Sequence, residues 1–126
     1  MAYRAPQPGP DAQPFFAAAA EGRLLIKRCR ETGECFYYPR ALSPFTLSAD
    51  TEWVEAAGTG TIYSLSTMRR GQGAPYTLAY VTLDEGPAVL TNLVADDPDT
   101  LAIGQRVRVR FEPTEGGPPV PLFAPE

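Results

Sequence analysis

The sequence predicts a mainly β protein with one short N-terminal helix, and three observations lead there. Fourteen prolines and eleven glycines make 25 of 126 residues, a density that breaks long helices. From Gly58 onward, runs of β-branched and aromatic residues alternate with Gly, Pro and Asp turns. One segment alone, around Phe15–Glu21, has the composition of a good helix. With 44% hydrophobic and 21% charged residues the chain has ordinary globular usage, and its length fits one domain with a small appended element.

Met1 to Pro10 reads as an extended lead-in, with prolines at positions 6, 8 and 10. Asp11 is placed to cap a helix that has Pro14 in its first turn and Gly22 just past its end. At about ten residues this helix cannot stand alone in water. Its stripe of Phe15, Phe16 and Ala19 must dock on its own domain or on a partner. A strand follows over Arg23–Arg30, a turn at Thr32-Gly33, and a second strand over Phe36–Tyr38 that Pro39 stops. The pair forms a hairpin. Ser43–Thr46 is a second turn and Thr51–Glu55 a third short strand. Five more strands come after it: Thr59–Thr67, Tyr76–Leu83, Ala88–Val94, Arg106–Glu112 and Val120–Phe123. Asp84–Pro87 turns one of them into the next, and a brief helical crossing starts at Pro98. Five short strands with a helical crossing before the fourth fit a small closed barrel of OB type, and a sandwich fits the composition as well.

Composition also excludes functions. The chain has no histidine, which removes Ser-His-Asp and Cys-His nucleophile activation, histidine general bases and every histidine-containing metal site. Eleven basic against fifteen acidic residues give a net charge of −4, so the chain has no overall attraction to nucleic acid. Phe15 to Ala20 is far shorter than the roughly 20 apolar residues of a membrane span. No export signal is visible and Cys29 and Cys35 are read as thiols, so the expected location is the cytoplasm.

An ordered set of motifs resembles a known family. The set runs Phe15-Phe16, Glu21–Leu25, Cys29, Gly33, Pro39-Arg40, Pro44 and Glu52–Val54. It continues through Gly58–Ser64, Ala79–Gly86, Thr91–Val94, Ile103-Gly104 and Pro121–Phe123. The chain thereby resembles the zinc-ribbon plus OB-fold proteins that accompany thiolase-like acyl-CoA enzymes. The resemblance implies an N-terminal extension and helix over 1–22, a rubredoxin-like ribbon hairpin over 23–55 and a five-stranded OB-fold barrel over 56–126. It also implies a non-catalytic accessory subunit of a thiolase-fold partner, contributing to acyl-CoA or acyl-substrate binding and to the stability of the complex. Single-stranded nucleic-acid binding by the barrel is the alternative, with Tyr63, Tyr76 and Tyr80 as stacking platforms. One feature departs from the family. Where its ribbon carries four thiolates, this chain has Cys29, Thr32, Ser43 and Thr46, so no zinc is expected. Phe36, Tyr37, Tyr38, Phe45 and Trp53 are then available to hold the hairpin by packing.

Candidate sites follow from charge and aromaticity. Arg69, Arg70 and Tyr76 flank a Gly-rich loop suited to clamp a nucleotide phosphate and stack on its base, or to serve as an ordinary mobile connection. Lys27 and Arg40 belong to a net-positive stretch that would meet coenzyme A phosphates or an acidic partner face, or simply be solvated. Phe15, Phe16 and Arg23 are the candidates for partner contact. Arg106, Arg108 and Arg110 alternate with Val107, Val109 and Phe111, as a barrel strand with one wet face requires, and their like charges call for acidic neighbours. No catalytic residue and no metal ligand is assigned.

Overall fold

The computed structural model describes residues 3–69 and 73–126. A 3₁₀ turn over Pro10–Ala12 leads into helix α1, Gln13–Ala20. Asp11 lies inside that turn and caps nothing; Ala12 occupies the cap position without a side-chain hydrogen bond. The other end of the helix is as expected. The Gly22 N–H donates to the Ala19 carbonyl at 3.0 Å and the Arg23 N–H to the Ala18 carbonyl at 2.9 Å, the paired bonds of a Schellman stop.

Strand β1 (Leu25–Cys29) pairs antiparallel with β2 (Cys35–Phe36) on one side and β3 (Thr51–Glu55) on the other, giving a three-stranded sheet. The second strand is shorter than expected, because Tyr37 and Tyr38 leave the sheet to meet Phe15. Their ring centroids lie 5.8 Å and 6.1 Å from that of Phe15. Strands β4 (Thr59–Met68), β5 (Tyr76–Leu83), β6 (Ala88–Leu93), β7 (Arg106–Glu112) and β8 (Val120–Pro125) close a barrel in the order β4-β5-β6-β8-β7. All its pairings are antiparallel except β6 with β8, and a 3₁₀ turn at Pro98–Thr100 makes the crossing before β7. This is the OB-type arrangement, and it removes the sandwich.

The barrel interior and the face of the three-stranded sheet share one core, in which Ile26, Val81, Val107 and Phe123 are fully buried. Helix α1 docks there. Phe15 is 2% exposed and Phe16 7%, with their rings edge to face at 5.0 Å. Both were candidates for partner contact, and that assignment is corrected: they are core side chains of this chain. An apolar helix stripe is visible in a sequence, but what covers it is not. Of the aromatic residues expected to hold the hairpin, Phe36 is buried, Tyr37 and Trp53 are partly buried, and Tyr38 and Phe45 are about half exposed.

Candidate functional site

The four ribbon positions converge. Cys29 ends β1 and is buried, and the turns at residues 30–33 and 43–47 fold over its sulfur. Thr46 Oγ1 hydrogen-bonds that sulfur at 3.8 Å, and the Ser43 and Thr32 hydroxyls lie near enough to act on its titration. The Ser43 hydroxyl first, and then those of Thr32 and Thr46, hold the thiol down to about 7 against a burial effect in the other direction. Cys35 sits opposite Arg28 in the β1–β2 register and so faces away from Cys29. Among the described residues no group of three or more His, Cys, Asp or Glu side chains is placed to hold a metal. One sulfur among three neutral hydroxyls is a poor donor set for zinc.

The cationic candidates fall into separate groups. Lys27, in the middle of β1, lies 5.1 Å from the centroid of the Trp53 ring and donates to the Arg40 carbonyl at 3.1 Å. Arg40 is exposed beside it. Arg23 bridges Glu55 at 2.9 Å and Glu21 at 2.7 Å, tying the end of α1 to β3. Its charge is spent within the chain. On the barrel, Arg69 pairs with Asp99, and Tyr76 faces Met68 across the β4–β5 ladder. Thr67, Met68, Arg69 and Tyr76 line a shallow hollow of about 400 Å³. Arg70 lies outside the described residues.

A second hollow of about 260 Å³ opens beside this one, on the outer face of β4–β6. It is lined by Ser64, Leu65, Ser66, Met68, Leu78, Ala79, Tyr80 and Leu90. Tyr80 pairs with Ser64 on one side and Leu90 on the other. The small serines form the floor between larger apolar walls. Tyr80 and Leu90 are 47% and 59% exposed, and Tyr63 projects from the bulge between Ile62 and Ser64. Every outward position of the β4–β6 face is uncharged, from Thr61, Ser64, Ser66 and Met68 to Ala88, Leu90 and Asn92. This patch has no charge signature in the sequence, because it consists of ordinary strand residues that the barrel alone brings side by side.

The adjoining β7 wall is charged and internally neutralised. Arg106 grips Asp84 through two nitrogens at 2.7 Å and 2.9 Å, Arg108 meets Glu126 at 3.4 Å, and Arg110 meets Glu112 at 3.0 Å. Asp84 also accepts from the Thr59 hydroxyl, so one carboxylate joins β4, β7 and the β5–β6 turn. Asp84 and Glu85 therefore do not act as a pair: Glu85 instead accepts the Ala57 N–H at 2.9 Å. The Arg106 bonds and then the Thr59 bond hold the Asp84 carboxyl well below its ordinary range. A depressed carboxyl pKa stabilises the fold above the unfolded value of about 3.9 and loses that effect as pH falls toward the folded value. Asp84→Asn should therefore lower the melting temperature at pH 7, and the gap to wild type should close below about pH 4. Thermal melts at a series of pH values check this; a gap that persists unchanged in acid would remove the carboxylate from the account.

The described residues thus define a class: a ribbon-like three-stranded sheet and an OB-type barrel on one core, with a net-neutralised charged wall and an exposed apolar wall. The chain belongs to the DUF35 family of ChsH2-type proteins. Residues 53–112 match the family described as the ChsH2 C-terminal OB-fold domain, and residues 16–42 match the ChsH2 rubredoxin-like zinc ribbon domain. A DUF35 domain-containing scaffold protein of Methanothermobacter thermautotrophicus is 31% identical over 70% of this chain and 71% of its own length. A probable enoyl-CoA hydratase alpha subunit of Thermomonospora curvata is 35% identical over 88% of this chain, which spans 36% of that protein's length. Among solved structures, the Ltp2-ChsH2(DUF35) aldolase superposes with a TM-score of 0.80 at 34% identity, covering 95% of this chain and 98% of that one. A DUF35 protein of unknown function from Sulfolobus solfataricus superposes at 0.70 with 12% identity, over 94% and 87% of the two chains, a likeness of fold alone. No helix of the described residues is long and apolar enough to cross a membrane.

Proposed function

We propose that this chain is a non-catalytic accessory subunit that docks on a thiolase-fold enzyme acting on acyl-CoA or related acyl substrates, completing the substrate site and stabilising the assembly. The observation that carries the reading is the uncharged apolar wall of β4–β6. An exposed aromatic beside aliphatic side chains is a common anchor of a protein interface, and Tyr80 lies directly across from Leu90 here. Similarity to the ChsH2 component of an aldolase and to proteins named as scaffolds supports it. So does a sequence without a histidine to act as base or to activate a nucleophile. Arg69 and Tyr76 lie beside the apolar wall, where an acyl-CoA held by the partner would present its phosphates and base.

Tyr80→Glu and Leu90→Glu test the reading. Both side chains are exposed, so each change should alter the stability of the isolated chain by no more than about 0.5 kcal/mol. Each should weaken binding to a co-expressed thiolase-fold enzyme at least about tenfold, since a desolvated anchor contributes roughly 2 kcal/mol or more. A partner that is fully soluble and active without this chain would end the proposal. The same tyrosines make single-stranded nucleic acid the rival ligand. Its mark would be sub-micromolar, salt-sensitive binding of a labelled oligonucleotide. The net charge of −4 weighs against it.

A further inference from the structure

The two turns that fold over Cys29 share one backbone geometry. The Gly33 N–H donates to the Cys29 carbonyl at 2.8 Å, and the Leu47 N–H donates to the Ser43 carbonyl at 2.9 Å. Each bond spans the same four-residue step from the first of two ribbon positions to the residue after the second. Both of those residues are left-handed, Gly33 at φ 78° and Leu47 at φ 64°. Glycine takes this conformation freely, whereas a leucine rarely does. Leu47 is also 74% exposed, so burial of its side chain does not offset the strain. The hydroxyls complete the correspondence. Thr32 Oγ1 accepts from the Glu34 N–H at 3.2 Å, Ser43 Oγ from the Phe45 N–H at 3.1 Å, and Thr46 Oγ1 from the Ser48 N–H at 3.3 Å. Each occupies the place where a thiolate sulfur would receive the same backbone donor.

We infer that the ribbon of this chain is a zinc-knuckle backbone closed by hydrogen bonds in place of metal: the two matched turn bonds, the backbone donors to the three hydroxyls, and the Thr46 contact to the Cys29 sulfur. The family described as a zinc ribbon and the residues of this chain thus disagree, and the disagreement is confined to side chains. The backbone keeps two matched turns aimed at one point. What has changed is the donor set, from charged sulfur to neutral oxygen, which zinc binds weakly. Two of the four positions, Cys29 and Ser43, are fully buried. The strained Leu47 then has a reason: it stands where the matching turn carries glycine.

The test uses the full chain and needs no partner. Wild-type protein purified from zinc-supplemented medium should contain only trace zinc by elemental analysis and melt at the same temperature with and without EDTA. The triple variant Thr32→Cys, Ser43→Cys, Thr46→Cys should hold zinc in a 1:1 ratio and show the absorption bands of tetrahedral thiolate when loaded with Co(II). Its melting temperature should fall when chelator is added. Leu47→Gly tests the backbone independently of metal and of whether the triple variant folds. It should raise the melting temperature, because it relieves a left-handed leucine. Stoichiometric, EDTA-sensitive zinc in the wild type would overturn the inference. So would a folded triple variant that takes up no metal, or a Leu47→Gly variant less stable than wild type.

Discussion

Phe15→Ala should destabilise the isolated chain by about 3–5 kcal/mol, the range for removing a buried phenylalanine. The ring is 2% exposed and packs edge to face on Phe16 and Tyr37. It stands where helix, ribbon sheet and barrel share their core, so the cavity has walls from three elements that cannot all relax into it. The helix has no stability of its own at eight residues, and losing its anchor should free it as a unit. Urea unfolding of the purified chain gives the free-energy change. Amide exchange should show loss of protection over Gln13–Ala20 together with the Schellman bonds at Gly22 and Arg23. If Phe15 served a partner surface instead, the isolated variant would be as stable as wild type and only complex formation would suffer. An unchanged urea midpoint would return Phe15 to a partner surface.

Most of the barrel was legible because period-two alternation and turn chemistry agree there. Tyr76–Leu83 and Arg106–Glu112 coincide with their expected spans, and the turn after Leu83 and the Pro98 crossing lie where Gly, Pro and Asp place them. Closure was legible only through the family resemblance, not in the strand pattern. Alternation reports which residues face inward, but it is silent on which strand pairs with which. The convergence of Thr59, Asp84 and Arg106 is a consequence of closure and was hidden for the same reason. The early part of the chain was harder. Tyr37 and Tyr38 have strand composition, yet they leave the sheet because the Phe15 ring offers a better apolar contact. The candidate site divides in the same way. Family spacing identified the four ribbon positions, and the two matched turns and the Thr46 contact to Cys29 follow it. The apolar wall around Tyr80 and Leu90 has no sequence signature, since outward strand positions far apart in the chain meet only once three strands are in register.

Gly60→Ala should cost the barrel about 1–3 kcal/mol, the range for forcing an extra methyl into packed structure, and at the upper end of it. Gly60 lies where β4 is paired on both sides at once, with Leu83 of β5 and Val107 of β7, so it sits at the seam that closes the barrel. A Cβ there would come 2.6 Å from the Thr82 carbonyl oxygen and 2.7 Å from Val81 Cγ1. The first of these is backbone, which no rotamer change can move aside. Relief therefore requires β4 and β5 to separate at that point, breaking ladder bonds on the same strand that Thr59 ties to Asp84. Such a change weakens closure and leaves the ribbon sheet intact. Amide exchange should rise at the β4–β5 and β4–β7 pairs, while protection in β1 and β3 is retained. The urea midpoint should fall with it. A Gly60→Ala variant as stable as wild type would mean that the seam has slack and that closure does not depend on the close approach at this residue.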